Sequence, residues 1–242
     1  MRELSWKITI QTDAHDEDYN RHIRPSAILR YMQVAANTQL HTYGPTTEDM
    51  LKSGRAFILS SIDLTFLKPL TSYQTIISET WPCPARGYTL PRCYVLHDEA
   101  GEEVALGYSQ WALVDIASRN ILRANELTLG VPLDVPFETK PKRFVVPHIK
   151  EMKKAGTYVV TYAQTDLNHH LNNTYYPDMF ANFVSLDGRR ISHMGIRFLK
   201  EAPFGETLTI YVDEGETSCR FVSVREDGEI NAEAEMTFCP FE

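Results

Sequence analysis

Apolar and polar residues alternate from residue 1 to about residue 13, with Trp6, Ile8 and Ile10 on one side, and this period of two predicts a strand. From Pro25 the period changes. Ile28, Leu29, Met32, Ala35, Ala36 and Leu40 recur at spacings of three and four, which predicts an amphipathic helix opened by Pro25 and stopped by Gly44-Pro45. Residues 55–115 then run rich in Ile, Thr, Tyr and Val, as strands do, with Asp98-Glu99-Ala100-Gly101 as a hairpin turn. Between residues 130 and 150 Pro132, Pro136, Pro141 and Pro147 break any regular period, so this stretch reads as a linker. The order then repeats. Residues 157–162 predict a strand, and Tyr176, Met179, Phe180, Phe183 and Val184 predict a shorter helical face. Strands come next at 193–198, 207–212 and 218–238, the last run folded at Asp227-Gly228. A strand, a helix and an antiparallel meander, twice over, is an α+β pattern. Two sheets, each wrapped around one helix, would bury both apolar helix faces.

A repeated word supports duplication. Asp18-Tyr19-Asn20-Arg21-His22 and Asp166-Leu167-Asn168-His169-His170 both spell Asp-x-Asn-x-His, 148 positions apart (166 − 18). Phe66-Leu67-Lys68 is echoed by Phe198-Leu199-Lys200, 132 positions on (198 − 66), so the first copy carries the longer insertion between its two words. The residue directly after Phe-Leu-Lys differs between copies: Pro69 in the first, Glu201 in the second. The C-terminal copy therefore reads as the complete site and the N-terminal copy as one adapted to another use. The expected organisation is an N-terminal domain over 1–130, a Pro-rich linker over 131–150 and a catalytic C-terminal domain over 151–242. Each half of the 242 residues is large enough to bury a core of its own.

Charge and composition narrow the class. A net charge of −8 argues against nucleic acid as the main partner. No run of about 18 apolar residues is long enough for a membrane helix. Cys83, Cys93, Cys219 and Cys239 form no Cys-x-x-Cys pair and sit at no zinc-finger spacing, which suits free thiols in a reducing compartment.

In the second word, an extended backbone would send Asp166, Asn168 and His170 to one face, because alternate residues of a strand share a side. Carboxylate, amide and imidazole, joined by Glu201 from a later strand, make a set able to activate water for hydrolysis. Asn172 and Asn173 precede the predicted helix and are candidate substrate-binding residues, since the amides of a helix start can hold a developing oxyanion. Capping is the plainer role for the same two asparagines, as turn formation is for Asp166. Metal binding is not expected, because adjacent histidines on an extended segment point to opposite faces; no cofactor is expected either.

The run from Thr165 to Tyr176, with Asp166, Asn168, His170 and Asn173 in the order Asp-x-Asn-x-His-x-x-Asn, resembles the signature of the acyl-[acyl-carrier-protein] thioesterases. Lys200-Glu201 matches that family's downstream Glu, and the similarity runs nearly end to end, through residues 55–70 and 110–115. The resemblance implies two tandem hotdog domains, each a central helix wrapped by an antiparallel sheet. It implies hydrolysis of fatty acyl-carrier-protein thioesters to free fatty acid in fatty-acid biosynthesis, with Asp166, Asn168, His170 and Glu201 catalytic. One departure stands out: plant members place a cysteine after the Glu, and here that position is Ala202, so attack falls to water or a carboxylate. A bacterial, cytoplasmic member is implied, with pairing into a homodimer left open. The competing readings are a hotdog acyl-CoA thioesterase, usually a single-domain chain, and a non-catalytic acyl sensor, which would have no use for Glu201.

The implied partner, acyl carrier protein, is strongly acidic, so docking on a chain of charge −8 requires a local basic patch. Two clusters qualify: Lys140, Lys142, Arg143, Lys150, Lys153 and Lys154 around the linker, and Arg189, Arg190, Arg197 and Lys200 closer to the motif. The second is the expected dock.

Overall fold

A computed structural model describes residues 4–137 and 141–241. The chain divides into two compact units: the chain up to Ile62 with Phe66–Pro141, and Asp63–Thr65 with the chain from Lys142 onward.

In the first unit β1 (Trp6–Gln11) is followed by the long helix α1 (Pro25–Tyr43) and the short α2 (Thr47–Lys52). Strands β2 (Arg55–Phe66), β3 (Thr75–Pro82), β4 (Thr89–His97), β5 (Glu103–Asp115) and the two-residue β6 (Ile121–Leu122) complete it. The sheet order is β1-β3-β4-β5-β2, with β6 on β5. Helix α1 starts where Pro25 needs no hydrogen-bond acceptor for its nitrogen. It stops at Gly44, whose φ of +77° suits glycine and whose N–H donates to Leu40 C=O at 2.7 Å. Its buried face, including Ile28, Leu29, Met32, Ala35 and Ala36, lies on β3, β1, β4 and β5. Close approach is possible because β5 offers Gly107 under Met32, where a Cβ would come within 2.7 Å of the sulfur.

The second unit repeats the plan: β7 (Lys153–Val159), α3 (Tyr176–Ala181), β8 (Arg189–Phe198), β9 (Thr207–Glu214), β10 (Ser218–Val224) and β11 (Ile230–Pro240). Its order, β7-β9-β10-β11-β8, is that of the first unit strand for strand. Even the loop hydrogen bonds recur. Thr12 N–H donates to Gln74 C=O at 2.9 Å, and Val160 N–H to Glu206 C=O at 2.9 Å. Lys68 pairs with Glu102 in one unit, and Lys200 with Glu229 at 3.5 Å in the other.

The elements differ from expectation in several places, among them the unforeseen α2 and the earlier start of β8, and three further differences lie in the second half. Helix α3 has six residues, against nineteen in α1, and ends before Phe183 and Val184. The apolar period ran on because the chain keeps turning after Ala181 with tighter i→i+3 bonds, Phe183 N–H to Phe180 C=O and Val184 N–H to Ala181 C=O. The strand expected at 157–162 starts earlier, at Lys153, and gives way to a 3-10 turn at Tyr162–Gln164. The proline-rich stretch lacks strand or helix among its described residues up to the turn Ile149–Glu151, yet it is packed. Trp81 donates its indole N–H to Val135 C=O at 2.9 Å and meets Phe137 edge-on, while Phe144 lies under the Arg197 guanidinium.

Candidate active site

Asp166-Leu167-Asn168-His169-His170 is a closed turn and not an extended segment. Asp166 N–H donates to His170 C=O at 2.9 Å, and His169 N–H to Asp166 C=O at 3.0 Å. One carboxylate oxygen of Asp166 accepts the Asn168 N–H at 2.8 Å, an Asx turn that out-competes extension. His169 takes a left-handed φ of +63° to close it. Expecting Asp166, Asn168 and His170 on one strand face was therefore wrong in its geometry. The first word folds alike: Arg21 sits at φ +62°, Asp18 N–H donates to His22 C=O at 2.8 Å, and Asp18 accepts Asn20 N–H at 2.8 Å.

The chain leaving the turn brings the chemistry together. Leu171 N–H donates to Ala202 C=O at 2.8 Å, and His170 bridges antiparallel to Pro203. His170 Nε2 thereby comes within 3.4 Å of Glu201 Oε2, with both side chains open to solvent, 28% and 50% exposed. In the first unit the same lattice forms, Ile23 N–H to Leu70 C=O at 2.8 Å, but the residue in the place of Glu201 is Pro69. A separation of 3.4 Å is longer than a good hydrogen bond, as is common at unliganded acid–base pairs. Asn168 projects from the turn and is exposed, while Asp166 is half-buried.

Asn172 takes the capping role open to it in the sequence. The Asn172 side chain accepts from Thr174 N–H at 3.0 Å and from its hydroxyl at 2.9 Å, and Asn172 C=O takes the Tyr175 N–H at 2.9 Å. Asn172 is thus the cap of the 3-10 turn Asn173–Tyr175 leading into α3. The Thr174 and Tyr175 amides are spent on it, and Pro177 has none. Asn173 opens the turn and is half-buried.

Sequence reasoning missed Asn231, on β11. Its carboxamide reaches the Lys200 carbonyl, one residue before Glu201, and the hydroxyl of Tyr176, which burial pushes well above the ordinary tyrosine range. The signal was available only by laying the two copies over each other. Among the described residues no group of three or more His, Cys, Asp or Glu is placed to hold a metal.

The basic residues nearest the motif, the expected dock, are engaged. Arg189 stacks on Phe238 at 4.0 Å and donates to Ser185 C=O at 2.9 Å; Arg197 pairs with Glu233 at 2.6 Å; Lys200 pairs with Glu229. The other cluster differs: Lys142, Arg143, Lys150, Lys153 and Lys154 are at least partly open to solvent, and none forms an ion pair among the described residues. Lys140 lies outside the described residues.

Residues 3–128 match the family model of the acyl-ACP thioesterase N-terminal domain, and residues 147–240 that of the C-terminal domain. The chain belongs to the acyl-ACP thioesterase family. It is a thioester hydrolase of fatty acyl-ACP, built from two hotdog-type halves. Solved structures agree on the fold. An acyl-ACP thioesterase from Bacteroides thetaiotaomicron superposes with TM-score 0.89 at 17% identity, covering 99% of this chain and 100% of the other. The 12:0-ACP thioesterase from Umbellularia californica gives 0.87 at 16%, covering 100% and 99%. A putative oleoyl thioesterase from Lactobacillus plantarum gives 0.85 at 16%, covering 98% and 97%. No curated protein matches the sequence.

Proposed function

We propose that this acyl-ACP thioesterase works at one site per chain, formed in the C-terminal unit by Asp166, Asn168, His170 and Glu201. The observation that carries the reading is the contrast between copies: the same turn and lattice occur twice, and where the first copy has Pro69 the second has Glu201, whose carboxylate lies 3.4 Å from His170. His170 and Glu201 hold a water and take its proton as its oxygen attacks the thioester carbonyl carbon. The Asn168 carboxamide, exposed on the turn, donates to the carbonyl oxygen as negative charge gathers there. Collapse of the tetrahedral intermediate breaks the carbon–sulfur bond, and the proton held by the His170–Glu201 pair passes to the departing thiolate. Free fatty acid and carrier thiol are the products, a chain-terminating step of fatty-acid biosynthesis.

Asp166 positions this network. Its occupied carboxylate oxygen favours that role over direct attack on the acyl carbon. Asn172 and Asn173 shape the substrate side only by fixing the turn into α3. The N-terminal unit serves substrate fit and not chemistry.

Carrier docking is assigned to the Lys142, Arg143, Lys150, Lys153 and Lys154 cluster, because Arg189 and Arg197, nearer the motif, are tied to neighbours. Leu167 and Phe204, 89% and 61% exposed beside the turn, add apolar contact surface. A cytoplasmic setting suits four cysteines that are all free. The test is release of free fatty acid from acyl-ACP by the purified chain and by Asp166→Ala, which removes the acceptor of the Asn168 N–H. Turnover should fall by at least about 10². Unchanged turnover would refute the site.

A further inference from the structure

The two copies are an internal control, because one fold has been kept twice while only one copy carries Glu201. In both, the strand that ends in Phe-Leu-Lys is tied to a neighbouring strand by a forked pair of bonds. Leu67 and Lys68 N–H donate to Val104 C=O at 2.9 and 3.2 Å; Leu199 and Lys200 N–H donate to Asn231 C=O at 2.9 and 3.0 Å. Val104 and Asn231 are therefore equivalent positions. Their cross-strand neighbours correspond as well, since Leu96 pairs with Ala105 and Ser223 with Ala232. On the helix, Ile28 and Tyr176 lie 148 positions apart (176 − 28), the offset of the motif itself.

At these three places the N-terminal copy has Ile28, Leu96 and Val104, all buried and apolar. The catalytic copy has Tyr176, Ser223 and Asn231, exposed by only 2%, 0% and 0%. The polar trio is internally satisfied. Asn231 Nδ2 donates to Tyr176 Oη at 2.9 Å and to the Lys200 carbonyl at 2.5 Å, and Asn231 Oδ1 accepts from Ser223 Oγ at 2.8 Å. Burying three polar side chains gains little over an apolar trio of like size, and demands that every partner be present. The N-terminal copy demonstrates that this fold closes without them. Both copies hold the Lys N–H by a backbone bond; what the trio adds is a side-chain grip on the Lys200 C=O, on the peptide that carries Glu201.

We propose that Asn231 is a positioning residue for Glu201, locked in turn by Tyr176 and Ser223. The inference rests on Glu201 being the site's carboxylate. The Glu201 side chain is half exposed, so the placing of its backbone is what aims it at His170. Asn231 supplies that aim; Val104, in the copy that carries Pro69, has nothing to aim.

A mutant cycle separates this role from a structural one. Asn231→Val, the residue of the other copy, should lower kcat on acyl-ACP by about 10-fold or more with KM little changed, because misplacing a reacting group by about 1 Å costs up to 10². Tyr176→Phe removes one oxygen from a core that keeps its shape, and should lower kcat by roughly 5-fold on the same ground. Each substitution is then repeated in Glu201→Gln. If Asn231 and Tyr176 act through Glu201, neither adds a further loss beyond about 2-fold there. Equal losses in both backgrounds, or kcat unchanged in Tyr176→Phe, would overturn the proposal while leaving Glu201 catalytic. If Asn231→Val does not fold, the Tyr176→Phe cycle decides alone. Wild-type turnover in Glu201→Gln by itself would sink the site assignment, and this proposal with it.

Discussion

Glu201→Gln should separate catalysis from stability by a wide margin. The substitution keeps size and removes only the charge that faces His170 at 3.4 Å. At that distance a full ion pair is worth about 1 kcal/mol at the dielectric of water and about 5 kcal/mol at an effective value of 20. With Glu201 50% exposed and His170 28% exposed, solvent screening brings the stability share to about 1 kcal/mol or less. For a chain of this size that is a fall in Tm of at most about 4 °C. The chemical step is a different matter. Loss of a positioned acid–base group costs about 10²–10⁴ in rate, or about 2.7–5.5 kcal/mol of barrier. The assay is free fatty acid released from acyl-ACP under saturating substrate, run beside a thermal melt of the same preparation. A variant with an intact melt and kcat down by about 10² or more fits the proposed pair. An intact melt with near-normal kcat refutes it, and a loss of both together would mean that Glu201 holds the fold.

The N-terminal copy has the turn but Pro69 in the place of Glu201, so His22→Ala should retain kcat and alter substrate preference or Tm; a kcat loss matching that of His170→Ala would show a second reaction centre. Lys153→Glu with Lys154→Glu should raise KM for acyl-ACP and spare acyl-CoA, and rates on the carrier substrate should fall with added salt as screening shortens the field; equal loss on both substrates would refute docking there. Cys219 is fully buried and its thiol is pushed up by that burial, which keeps it protonated and unreactive, while Cys83 and Cys93 are buried too. Under native conditions a thiol reagent should therefore label Cys239 first, with all four titrating only after unfolding; rapid native labelling of Cys219 would contradict the packing.

Much of the fold was legible because its signals are local. Pro25 and Gly44 bracket α1 as the sequence suggested, since a missing N–H and a positive φ are properties of single residues. The meander and the duplication could be read for the same reason, from alternation and from a repeated word. The shape of that word could not. Asp, Asn and His suit an extended strand face and an Asx turn alike, and a side-chain bond from the Asn168 amide to Asp166 decides between them. Charge misled in a similar way. Arg189, Arg197 and Lys200 cluster in sequence, but cross-strand partners such as Glu233 and the Phe238 ring come from β11 and absorb the arginines. Asn231 was invisible because its meaning depends on strand register, which puts it against Lys200 from thirty-one residues away (231 − 200).

The most direct test is a side-by-side measurement of kcat/KM on acyl-ACP and acyl-CoA carrying the same series of acyl chains. Hydrolysis should favour the carrier-protein thioester at every chain length accepted, with the preference shrinking as salt is raised. Equal or better turnover of acyl-CoA across the series, insensitive to salt, would contradict a carrier-directed thioesterase.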